Sequence, residues 1–453
     1  MKTHTKISTY ILLTGLLFLT SCELQNIQDP NNPSVSSVTS NATVGQLQNL
    51  VTGLESQSKV YVGAASNAFG TFGREIWYFN GSDPRNVQYW TGQAEAIPSS
   101  TFYGVDAAYT GPYSAIKQAN VIISAVNNTS SVTQIQKNAI IGFAETIQGY
   151  QYLIPANSLY QNGIRIDVSD PLNPGPFVSY TEALKAIKGK LDQGDSLLSN
   201  AGTTLPFTLT KGYAGFSTPA GLIKVNRALA ARVAIYQKDW QGALDALSQS
   251  FFDLTGDINI GPAHVYGNSP DTYNPYYYVL DASYNSGAVV HPSLIADALP
   301  GDSRVTTKFF HRTSPLVSTA GKVPLSSEYQ DKRWSDPTSP IKFIRNEELI
   351  LIYAEASAQL SHTADAVKAI NVIRTSANLA AYAGATDLNS LITEILFQRR
   401  YSLWFEPGTH RWVDLRRYNR LSEIPVGLDV GVVFTQLAKP ISEVNWDNFK
   451  GNN

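Results

Sequence analysis

The chain has 453 residues, of which 43% are hydrophobic and 15% charged, and its formal net charge is −2. That composition can fill a large core and is not that of a disordered chain, and it offers no basic field to hold nucleic acid. The single cysteine, Cys22, excludes an intrachain disulfide and a cysteine-based metal site.

The first segment is an address rather than a fold. Lys2 and Lys6 precede a mostly apolar run from Ile7 to Leu19. The run is shorter than the roughly 20 apolar residues that cross a bilayer, and it fits the apolar region of a secretory leader. Leu19-Thr20-Ser21-Cys22 follows and resembles a bacterial lipobox. Small residues admit the peptidase, the Cys22 thiol takes a diacylglycerol, and cleavage frees an amine for a further acyl chain. One acyl chain binds a membrane marginally, whereas two or more anchor stably. Residues 1–21 are therefore expected to be a signal peptide and Cys22 the lipidation site. Their removal leaves 32 basic residues against 36 acidic ones, a net charge of −4. Residues 22–40, rich in Asn, Pro and Ser, are expected to be a flexible, solvated tether.

Residues 41–453 are expected to form one domain with an N-terminal helical part (about 41–253), a loop-rich ligand region (about 254–340) and a C-terminal helical part (about 341–453). Apolar recurrence at three and four residues predicts helices over 107–128, 133–159, 180–198 and 220–238. Ser179 and Glu182 form a capping-box pattern ahead of the third. Asp239-Trp240-Gln241-Gly242 opens another short helix. A helix over 345–360 is apolar almost all round (Leu349-Ile350-Leu351-Ile352), so it is expected to be buried. Helices over 364–377 and 388–405 complete the set. Small residues at expected crossings, such as Ala354 and Ala356, suit tetratricopeptide-like stacking of helix pairs. The fold class is thus mainly α, a scaffold of tetratricopeptide-like helix pairs carrying an irregular region. Residues 63–112 and 254–340 are long, aromatic-rich and expected to be irregular, ordered and functional.

The C-terminal third resembles the SusD/RagB family. Arg345-Asn346-Glu347-Glu348-Leu349-Ile350-Leu351-Ile352-Tyr353-Ala354-Glu355-Ala356 is similar to the family's Arg-x-x-Glu-x-x-Leu-x-Tyr-Ala-Glu-Ala helix. Ala366 to Arg374 resembles its Ala…Ile-Asn-x-Ile-Arg segment, and Arg399 to Arg417 its Glu-Arg…Phe-Glu-Gly-x-Arg…Asp-Leu-x-Arg signature. Upstream, Tyr113 to Asn120 is similar to its Tyr-x-x-Ile-x-x-Ala-Asn helix. Gln398 and Ser402 stand where the family usually has Glu, and Glu406 to Arg411 is longer than the usual Glu-Gly-x-Arg. The resemblance implies a SusD-like α/α fold with four helix pairs. It also implies a non-enzymatic, lipid-anchored outer-membrane protein facing the extracellular side. Such a protein captures an oligosaccharide and delivers it to a SusC-like TonB-dependent transporter. The family's alternative cargo is a peptide. A surface glycoside hydrolase and a purely structural barrel subunit are rival readings. Glu348, Glu355, Arg345 and Arg399 lie in or beside apolar helices, where an unpaired charge is costly. They are expected to pair with one another or to cap helix ends.

No catalytic motif is present, and the six scattered histidines suggest no metal site. No cofactor is expected. The candidate ligand-binding residues come from two aromatic stretches. In the first, Trp77, Tyr89 or Trp90, with Tyr78 beside them, would stack on a sugar ring while Asn80, Asp83 and Arg85 bond its hydroxyls. The second is Tyr273 to Tyr278, centred on Tyr276, with Trp334 as a distant member.

Overall fold

The computed structural model describes residues 35–451 apart from 95, 100–102, 104–107, 171, 284, 285 and 409. The expected leader 1–21, the lipidation site Cys22 and residues 22–34 of the expected tether lie outside the described residues.

The N-terminal part runs α1 (Val35–Thr39), α2 (Val44–Ser58), α3 (Tyr61–Phe72), β1 (Ile76–Phe79), α4 (Arg85–Trp90), α5 (Gly111–Asn128), α6 (Gln134–Leu159), β2 (Ile164–Arg165), β3 (Phe177–Val178), α7 (Tyr180–Ser199), α8 (Pro219–Gln237) and α9 (Trp240–Ser248). The middle region contributes β4 (Ala263–His264), β5 (Gly287–Val290), α10 (Ser293–Ala296), α11 (Ser303–Lys308), β6 (Phe309–Ser318), β7 (Leu325–Asp331) and β8 (Ile341–Lys342). The chain closes with α12 (Asn346–Gln359), α13 (Thr363–Ser376), α14 (Leu388–Ser402), α15 (His410–Arg417) and α16 (Ile441–Gly451).

The helices begin where local chemistry satisfies their free amides. Thr43, Thr133 and Ser179 each cap a helix through a capping box with Gln46, Gln136 and Glu182 respectively. Thr218 caps α8, whose first residue, Pro219, has no amide to satisfy. Each predicted helix from α5 onward is present within a few residues. The expected helix 388–405 stops at Ser402. There the Lys308 ammonium takes the carbonyls of Tyr401 and Ser402, both at 2.6 Å, in place of a continuing turn.

The helices stack in succession: α2 on α5, α5 on α6, α6 on α7, α7 on α8, α8 on α9, then α12 on α9, α13 and α14. The fold is mainly α, as expected. Four antiparallel strands in the order β1-β5-β7-β6 form a sheet beside the stack. One apolar core runs from Leu47 through the α5–α8 stack to Trp412 and Leu437, and a second joins α12, α13 and α14.

Two expectations need correction. Residues 63–112 and 254–340 are not structureless, since they hold α3, β1 and α4, and the rest of the sheet. The glycines of α3 serve close packing: a Cβ on Gly70 would sit 3.0 Å from Ile76 and from Phe405. The expected tether also ends early, because α1 packs on α5 and Asn128 donates to the Thr39 carbonyl at 3.1 Å.

The buried charges are paired, though not among themselves. Glu348 pairs with Arg232, Glu355 with Arg417, Arg399 with Asp414, and Arg345 with Glu347 and Glu406. No described helix is long and apolar enough to cross a membrane.

Candidate functional site

Strand pleating decides the fate of the first aromatic stretch. Along β1, Trp77 and Phe79 point into a small core with Val87, Val289, Leu316 and Leu325. Trp77 is 2% exposed, and its indole N–H donates to Asp429 at 3.2 Å. Trp90 is 3% exposed, donates to the Tyr103 carbonyl and packs on Tyr78 with ring centroids 5.4 Å apart. Tyr276 is 1% exposed, between Phe405 and Trp334. The expectation that Trp77, Trp90 and Tyr276 meet a ligand is therefore corrected. Their rings are covered on both faces by the core, which is the ordinary use of large aromatics.

The other predicted residues gather on the surface just beyond β1. Tyr78, Asn80, Asp83 and Tyr89 are half-buried and Arg85 is exposed. Asn80 Oδ1 accepts from the amides of Ser82 and Asp83 at 3.0 and 3.2 Å, an Asx turn that fixes the loop. Arg85 forks onto Asp83 at 2.8 and 3.1 Å and holds that carboxyl below its usual range. Tyr103 bonds Asp83 through its hydroxyl and lies 4.8 Å from the Tyr89 ring. The surface thus offers Tyr89, the free edge of Arg85 and the Asn80 amide as ligand-facing groups. Tyr103 was not recognised in the sequence, where it is one more aromatic in a long loop.

A concave site lies elsewhere. A cleft of about 520 Å³ opens between α11, β8 and the turn after α14, lined among others by Lys308, Trp334, Lys342, Arg345, Glu406 and Pro407. Its size suits a sugar or a short peptide segment. Trp334, the distant member of the second predicted stretch, is half-buried on its wall. Of that stretch, Tyr273 is 57% exposed while Tyr277 and Tyr278 are half-buried. Sequence reasoning missed Lys308 and Lys342, because lone lysines carry no motif.

The cleft's electrostatics do not suit acid catalysis by Glu406. Burial alone would raise its pKa, but Arg345, Lys308 and Arg333 outweigh that and hold it at about 2. It stays ionised and has no proton to give. Burial pulls the Lys308 ammonium down to about 7, against the pull of Glu347 and Glu406. Among the described residues no group of three or more His, Cys, Asp or Glu is posed to hold a metal ion. His264, His291 and His410 are instead core residues, held neutral mainly by burial, with pKa values lowered to about 3, 3 and 4.

Residues 318–452 match the model of the SusD family. No curated protein sequence matches the chain. Among solved structures, surface glycan-binding protein A from Bacteroides thetaiotaomicron superposes with a TM-score of 0.68 at 15% identity, covering 91% of this chain and 98% of that one. A laminarin-binding SusD-like protein gives 0.67 at 15% identity, with 89% and 97% covered. A SusD-like carbohydrate-binding protein from Bacteroides vulgatus gives 0.61 at 17% identity, with 83% of each covered. At these identities the likeness is one of fold.

Proposed function

We propose that the chain is a SusD-like protein that binds a glycan at the cell surface without transforming it, a reading supported by the match of residues 318–452 to the SusD family and by the shared fold. The observation that carries this reading is the shared fold with proteins described as binding surface glycans and laminarin, over about nine-tenths of both chains. Two features of the molecule support it. The Tyr89–Arg85–Asn80 surface pairs an aromatic face with hydrogen-bonding groups, which is what a sugar ring presents in reverse. The cleft beside Trp334 has room for one or two sugar units and a carboxylate, Glu406, locked in its ionised form.

The remaining parts of the reading rest on the sequence. Cys22 carries the lipid that holds the protein to the outer membrane, with the folded body outside the cell. The captured glycan passes to a SusC-like TonB-dependent transporter, with residues 41–453 acting as one unit.

The test is calorimetric titration of the full chain, purified in detergent, against panels of oligosaccharides and peptides, with product analysis after each run. Saturable glycan binding with no released product supports the proposal. Binding confined to peptides, or product release, overturns it. Metabolic labelling with a fatty acid, abolished by Cys22→Ser, tests the anchor. Co-purification with a barrel from gently solubilised membranes tests the transporter.

A further inference from the structure

The cleft beside Trp334 has a charge arrangement that a neutral sugar would leave unused. Its three guanidinium groups are spent on the protein. Arg304 forks onto Asp302 at 2.9 and 2.7 Å, and Arg333 onto Asp331 at the same two distances. Arg345 grips Glu406 at 3.0 and 2.8 Å and pairs with Glu347 as well. These groups build the walls and have little left to offer.

The two lysines differ. Lys342 is half-buried on β8, where its backbone is in register with Ala263, and its ammonium has no hydrogen-bond or ion-pair partner among the described residues. Asp257 and Glu406 act on it only at a distance, while burial and Arg345 disfavour its charge. Lys342 lines the cleft next to Ile341, which is 1% exposed and closes the cleft floor against the core. Lys308 sits on the Tyr401 and Ser402 carbonyls, which take two of its three N–H groups. A partly desolvated ammonium without a partner is costly, and an arriving anion removes the cost. Trp334, Pro340 and Pro407 give the cleft its apolar faces, Asn259, Ser303, Thr307 and Ser376 add neutral polar groups, and its two carboxylates, Glu347 and Glu406, are both held by Arg345.

We propose that this cleft receives a uronic-acid unit of the captured glycan, its carboxylate on Lys342 and Lys308 and its ring against Trp334 and Pro407. This rests on the glycan reading above and names the class of glycan for the cleft.

The test uses the full chain in detergent and trimers of galacturonate, glucuronate and mannuronate. Each is titrated beside its carboxyl-reduced, neutral counterpart, and inorganic phosphate serves as a free anion. At least one acidic trimer is expected to bind about tenfold or more tighter than its neutral form. That advantage should shrink as salt is raised, should be lost in Lys342→Gln and should be kept in large part in Lys342→Arg. The acid-against-neutral comparison is made on the unaltered chain, so it holds even if a variant folds poorly. Equal affinity for both forms, insensitive to Lys342, overturns the proposal and leaves the glycan reading standing. Phosphate bound at Lys342 with no binding of any trimer leaves a bare anion site and overturns the uronate proposal. No binding of any probe overturns the uronate proposal, while the glycan reading is decided by the wider oligosaccharide panel.

Discussion

Arg232 and Glu348 form a forked ion pair in the middle of the molecule, with Nε to Oε1 at 2.6 Å and Nη2 to Oε2 at 2.5 Å. Both side chains are 1–2% exposed, and the pair joins α8 to α12. Arg232 Nη2 also donates to the Phe343 carbonyl at 2.8 Å. Burial would raise Glu348, yet Arg232 and His410 keep its pKa below the usual value. Removing one partner strands the other charge in the core, at a cost of about 3–5 kcal/mol. Glu348→Gln is expected to lower the unfolding free energy by that amount, read as a lower midpoint in urea. The double change Arg232→Met with Glu348→Leu is expected to recover most of the loss, because two apolar side chains of similar volume need no pairing.

Asp429 ties the irregular segment between α15 and α16 to β1. It is fully buried and accepts from Arg74 Nε at 2.8 Å, Arg74 Nη2 at 3.0 Å and the Trp77 indole at 3.2 Å. Asp429→Ala leaves Arg74 unpaired in the core, again at about 3–5 kcal/mol. The amides of residues 430–433 are expected to lose hydrogen-exchange protection first, since Gly431 donates to Asp429 itself. Trp77→Phe removes one hydrogen bond, about 1 kcal/mol. It is expected to leave glycan affinity unchanged, and a large loss of affinity would return Trp77 to the ligand site.

Much of the fold was legible because helices announce themselves locally. Ser179 with Glu182, Asp239 before Trp240, and the apolar run Leu349 to Ile352 each encode an element without help from the rest of the chain. Helix α3 was hidden because its glycines look like loop residues, and their use is visible only once Ile76 and Phe405 are in place. The sheet was hidden for the related reason that β1 pairs with β5, more than two hundred residues away. The candidate site was legible only in part. Composition marked the stretch around Trp77 to Trp90 as aromatic and polar. Which rings face outward is set by the pleat and by Asp429, and neither leaves a local trace. The need to pair Arg345, Glu348, Glu355 and Arg399 followed from desolvation alone, while the partners are a matter of tertiary geometry.

Three buried histidines set the acid side of the stability profile. His264 and His291 are lowered to about 3 and His410 to about 4, in each case chiefly by burial. Their folded values lie below the ordinary value of about 6.5, so the fold prefers the neutral ring. Their contribution is fully present above about pH 6.5 and is lost as pH falls towards 4 and then 3. Glu75 acts in the opposite sense. Burial pushes it up to about 7, so its contribution is present below about pH 4.5 and lost as pH rises through 7. The melting temperature is expected to pass through a maximum between these limbs. His291→Gln is expected to flatten the acid limb, and Glu75→Gln the neutral one, in melts recorded from pH 4 to pH 8.

Two surfaces compete for the ligand, and one pair of variants separates them. Tyr89 is half-buried over Tyr103, beside the Arg85–Asp83 fork, and removing its ring leaves that fork and the Asx turn at Asn80 in place. Trp334 stands on the wall of the 520 Å³ cleft, with its indole N–H on Asp331 at 3.0 Å, a carboxylate that Arg333 also holds. Tyr89→Ala and Trp334→Ala therefore each remove an aromatic face while the charged framework behind it stays paired. The surface that stacks on a sugar is expected to show an affinity loss of about tenfold, roughly 1.4 kcal/mol, on losing its ring. The other should change less than twofold. Because the cleft is concave and buries more of a bound ring than the β1 rim does, the larger loss is expected for Trp334→Ala. A larger loss for Tyr89→Ala in the same titration would move the primary site to the Asn80–Arg85 surface.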